Sequence, residues 1–115
     1  AEYAAKFVLK CLRLQKRNKL EVENSLFISY EDLCDKKDEV MKKIQKFIPE
    51  LKDINSDLEF SAHNFKTKGK MKVRNLNAEK IEKLTIDHIR EINSHFIKER
   101  ELLAFFGYTI IKEDI

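Results

Sequence analysis

The sequence predicts a single helix-rich α+β domain with one β-hairpin and a long C-terminal helix. Three patterns carry that expectation. Apolar residues recur at helical spacing from Glu2 to about Arg17 and again beyond Asn77, the period switches to two from Asp57, and Gly69 stands where a hairpin would turn. At 115 residues with 43 % hydrophobic side chains, the chain has material for one modest core but not for two independent domains. Charged residues reach 37 %, yet eight Phe and three Tyr supply the bulk that a disordered tail lacks.

In the first segment Tyr3, Phe7, Cys11 and Leu14 fall at helical spacing, reinforced by Val8 and Leu12, which reads as the inward side of an amphipathic helix. Leu26 to Ser29 then favours a short strand. Ser29, followed three positions later by Asp32, supplies a cap acceptor and early carboxylates for a new helix. Val40, Ile44, Phe47, Leu51 and Ile54 continue that helical pattern, with a turn expected within Asp35 to Asp38. Pro49 lacks a backbone donor and restricts Ile48, so a kink or fresh start is expected there.

Leu58, Phe60 and Ala62 alternate with Glu59, Ser61 and His63 as a half-buried strand does. The apolar parity then shifts to Phe65, Met71 and Val73, which requires a bulge near His63 and Asn64 if both stretches face one core. The return strand runs through about Leu76. Asn77 is placed to cap the last helix, with Ile81, Leu84, Ile89, Ile92, Phe96 and Leu103 on its inward side. Gly107 marks a left-handed stop, and Tyr108 to Ile111 read as a final short strand.

The net charge of +3 decides little, but its distribution is uneven. Residues 61–76 hold five basic side chains and no acidic one, whereas residues 29–60 hold six and nine. Lys66, Lys68, Lys70, Lys72 and Arg74 occupy every second position, so a strand would direct them to one face and turn Phe65, Met71 and Val73 to the other. Such a row suits the phosphates of a nucleic acid, with counterion release driving association. Lysines on an exposed edge strand also discourage sheet-to-sheet aggregation. Lys6, Lys10, Arg13 and Arg17 line one flank of the first helix and either extend that footprint or form an ordinary solvated face.

The order helix, short strand at Phe27 to Ser29, helix from Tyr30, helix from about Lys37, strand at Leu58, basic turn at Gly69 and return strand at Lys72 resembles a winged helix-turn-helix domain over residues 2–76. Residues 77–115 would then add the C-terminal helix and a short tail strand. The resemblance implies DNA binding, with Lys42, Lys43 and Lys46 facing the major groove and Lys66, Lys68, Lys70, Lys72 and Arg74 on the wing. Glu31, Asp32, Asp35, Asp38 and Glu39 precede the groove-facing helix and would repel phosphates if they pointed the same way.

No catalytic apparatus is expected. Two glycines are too few for a phosphate-cradling loop, and no Ser lies in a nucleophile-elbow pattern. His88, Glu91 and His95 share roughly one helix face but would need a further ligand to form a zinc site, so neither metal nor cofactor is expected. Cys11 and Cys34, without CxxC spacing, read as buried or free thiols of a reducing, intracellular compartment, cytoplasm and nucleus not distinguished, with a disulfide as the alternative. No apolar run reaches the ~18 residues of a membrane span. The expected function is therefore non-enzymatic nucleic-acid binding through the basic hairpin and the first helix. The alternative is a protein-interaction or self-association module using Leu102, Leu103, Phe105, Phe106 and Tyr108.

Overall fold

Residues 2–21 contain no Gly or Pro and are rich in Ala, Leu, Lys and Arg, so little opposes a continuous helix. The computed structural model, which describes residues 1–51 and 73–113, forms helix α1 over Glu2–Glu21, one turn longer than the pattern suggested. Glu2 in its first turn and Lys19 in its last complement the helix dipole. Beyond it Asn24 takes a φ of 48°, a left-handed conformation that Asn tolerates better than most residues.

The chain divides into two compact units, Ala1–Ser25 with Glu79–Ile115, and Leu26–Ala78. In the first, α1 packs against α5 (Ile86–Phe96) and α6 (Arg100–Phe105), which are joined by a 3₁₀ turn at Ile97–Glu99. Ala5, Leu9, Ile89, Leu102 and Leu103 are its buried apolar residues. Tyr3 and Phe7, expected inside, are 82 % and 55 % exposed. The helix carries two apolar stripes, and the one built on Ala5 and Leu9 faces the core.

The expected long C-terminal helix is broken. Helix α4 covers only Asn77–Ile81, and a turn closes with the Leu84 amide donating to the Ile81 carbonyl at 2.9 Å. Thr85 then starts α5, its hydroxyl accepting from the His88 amide at 3.2 Å. The hydroxyl satisfies an amide that the helix start leaves without a carbonyl partner. Asn77 does not cap α4 but opens it, and its own amide donates to the Asn75 side-chain oxygen at 2.9 Å.

Gly107 ends α6 with φ 76°. Its amide donates to the Ala104 carbonyl at 3.0 Å and the Tyr108 amide to the Leu103 carbonyl at 2.9 Å, the paired bonds of a Schellman stop. The tail beyond it is not a strand. Asn93, buried on α5, receives the Ile111 amide on Oδ1 at 3.0 Å and donates Nδ2 to the Ile111 carbonyl at 2.8 Å. One side-chain amide thus satisfies both backbone groups that a neighbouring strand would have paired. Arg90 adds an ion pair to Glu113 at 3.3 Å.

In the second unit Ser29 caps α2 (Tyr30–Asp35), its hydroxyl accepting from the Asp32 amide at 3.1 Å. Lys36, at φ −130° and ψ 47°, separates α2 from α3 (Lys37–Phe47), the break expected within Asp35 to Asp38. Cys34 and Val40 are buried, with Ile44 half-buried on the same side of α3 as Val40. Helix α3 stops before Pro49 because the ring disfavours helical backbone at Ile48, which sits at φ −124° and ψ 85°.

Among the described residues there is no β-strand, and about two thirds are helical, which overturns the expected α+β class. The strand at Leu58, the bulge at His63 and the turn at Gly69 lie outside the described residues. Leu26–Ser29 forms no strand, because extended propensity needs a ladder partner to become one. The end of the expected return strand, residues 73–76, is held by side chains of α2 instead. Tyr30 Oη donates to the Arg74 carbonyl at 3.2 Å and accepts from the Leu76 amide at 3.3 Å. Asn75 donates to Asp35 at 3.0 Å and Asn77 to Glu31 at 2.9 Å.

Candidate functional site

The side of α1 away from Ala5 and Leu9 carries Tyr3, Phe7 and Leu14, bordered by Val8, and all four are exposed. Cys11, between them, is half-buried and free. The Tyr3 and Phe7 rings stack at 6.3 Å with 14° between their planes, so together they form one aromatic cluster. The sequence pattern places these residues in the core, whereas the structure leaves them outside: helical spacing defines a face but does not say which of two stripes packs inward.

The basic flank of α1 lies beside that stripe. Lys6 donates to Glu2 one turn away, and Arg13 donates to Glu99 of the 3₁₀ turn, so two of its four cations are matched by carboxylates. The hydrogen bond and charge of Lys6 hold the Glu2 carboxyl below its ordinary pKa. Lys10 and Arg17 are exposed and make no ion pair among the described residues. Lys16 and Lys19 lie 4.9 and 5.4 Å over the Phe105 ring, an arrangement spacing alone could not reveal.

The C-terminal aromatic run is mostly absorbed by the first unit. Leu102 and Leu103 are buried, and Phe105, Phe106 and Tyr108 are half-buried. Phe105 meets Phe106 edge-to-face at 5.0 Å, and Phe106 stacks on Tyr108 at 6.5 Å. Gly107 makes that packing possible by reversing the chain after α6.

The other expected cations belong to the second unit or lie outside the described residues. Lys42, Lys43 and Lys46 are exposed on α3, but Lys43, three positions after Val40, lies toward the Val40 side while Lys42 and Lys46 lie away from it. Arg74 is exposed, with its carbonyl engaged by Tyr30. Lys66, Lys68, Lys70 and Lys72, the centre of the expected positive row, lie outside the described residues. Among the described residues no three His, Cys, Asp or Glu side chains converge to hold a metal ion, and His88, Glu91 and His95 do not form such a group. No helix among them is long and apolar enough to cross a membrane.

Comparison with family models, with curated proteins and with solved structures returned no match for this chain.

Proposed function

We propose that the chain works by docking onto another polypeptide through the exposed apolar stripe of α1. The observation that carries this reading is the stacked Tyr3–Phe7 pair on the side of α1 opposite its packed face. Among the described residues seven apolar side chains are buried and fourteen large apolar ones are exposed. Scattered exposed apolar residues are ordinary, but a stripe aligned on one helix is the form a helix-docking surface takes. Aromatic side chains of this kind anchor interfaces because they bury large area at small entropic cost.

A photo-crosslinking residue at position 7 tests the reading. Adducts to polypeptide at position 7, absent from the same residue at exposed position 79, are expected; adducts to nucleic acid alone would overturn it. The rival reading, phosphate-backbone binding, draws support from exposed Lys42, Lys43 and Lys46 and from Lys10 and Arg17. It predicts that association weakens steeply with salt and ignores the loss of Phe7.

A further inference from the structure

We infer that the partner segment seated on α1 is an amphipathic helix with a row of Asp or Glu beside its apolar face; this rests on the docking reading above. The charge around the stripe is one-sided. Lys10 and Arg17 border it on one edge, two turns apart and so about 10 Å along the helix axis. Lys6 and Arg13 lie further round toward the core and already have carboxylate partners, Glu2 and Glu99. The opposite edge, Ala4, Val8 and Gln15, is uncharged. On α1 itself the one carboxylate near this edge is Glu21, a turn beyond Arg17, and it makes no ion pair with Arg17, so both cations of the edge are left to a partner.

That asymmetry selects among occupants. Two copies of α1 paired antiparallel through their stripes would set one Lys10–Arg17 row against the other. Like charges along flanking positions oppose that pairing. Paired in parallel, each cationic row would meet the uncharged edge of the other copy and gain nothing. A helix carrying carboxylates about two turns apart along one border satisfies both cations while its apolar face covers Tyr3, Phe7 and Leu14. The apolar contact supplies the affinity, and the charged row fixes direction and partner choice.

Two designed helical peptides with the same leucine face, one bordered by Glu and one by Lys, separate these cases when titrated against the full chain by fluorescence anisotropy. The Glu peptide is expected to bind at least tenfold more tightly at low salt, and Lys10→Glu with Arg17→Glu is expected to reverse the order. Lys10→Gln with Arg17→Gln is a milder variant and should bring the two peptides close to equality. Phe7→Asp should weaken both peptides by tenfold or more. Equal binding of the two peptides would overturn the charge selection and leave polypeptide docking standing, whereas binding of neither would overturn both. A dimer in sedimentation that Phe7→Asp dissociates would overturn it in favour of a second copy. Duplex DNA binding that needs Lys10 and Arg17 but not Phe7 would overturn it in favour of a phosphate backbone.

Discussion

Asn93 performs a task that the sequence assigned to a strand. Its amide group exchanges two hydrogen bonds with the backbone of Ile111, so the tail is fixed to α5 without a ladder. Removing that side chain leaves a partly buried N–H and C=O of the tail without partners, a loss on the order of 1–3 kcal/mol. Asn93→Ala is therefore expected to destabilise the folded chain by about that amount in urea unfolding, and to speed amide exchange at Ile111 first. A stability within about 0.5 kcal/mol of wild type would mean the clasp contributes nothing. No residue pattern could have announced this contact, because Asn93 and Ile111 are 18 positions apart and Asn is ordinary on a helix surface. Gly107 is the opposite case. Its role was legible because a left-handed stop is a demand on one residue, and φ 76° confirms that Gly fits it.

At the level of elements, what was legible was whatever local chemistry decides. Ser29 caps α2, the break comes at Lys36, and α3 stops before Pro49, each set by one or two neighbouring residues. The inward face of α1 was not legible, because Tyr3, Phe7, Cys11 and Leu14 compete with Ala5, Leu9 and Leu12 at the same helical period. Bulk favoured the first stripe, but packing against α5 and α6 selected the smaller second one. The broken C-terminal helix has a local cause that the long apolar periodicity masked. Thr85 is a cap acceptor in mid-pattern, and its hydroxyl starts a new helix after the turn that follows Ile81. Thr85→Ala is expected to cost about 1 kcal/mol, with fraying confined to the first turn of α5, whereas Thr85→Ser should be close to wild type. Helical chemical shifts at Ile86 and Asp87 report the difference; an unchanged first turn in the alanine variant would remove the capping explanation.

The whole molecule carries more large apolar residues outside than in among the described residues, and that imbalance is what makes an interaction surface the better reading of the fold. The charge pattern that suggested a nucleic-acid partner has a second meaning once α1 is seen to be two-sided. Lys6 and Arg13 serve ion pairs within the first unit, leaving Lys10 and Arg17 beside an apolar stripe. The winged-helix order was persuasive in sequence because it depended on alternation at Leu58 to Ala62 and on Leu26–Ser29 finding strand partners. Strand pairing is non-local, and the described residues provide none.

The claim on which this reading stands is that one face of α1 builds the fold and the other is free to bind. Comparing the unfolding free energies of Phe7→Asp and Leu9→Ala tests it most directly. Phe7→Asp is predicted to stay within about 0.5 kcal/mol of wild type, as surface changes do, while Leu9→Ala loses roughly 2–5 kcal/mol. A loss of several kcal/mol for Phe7→Asp would place Phe7 in the core and contradict the account.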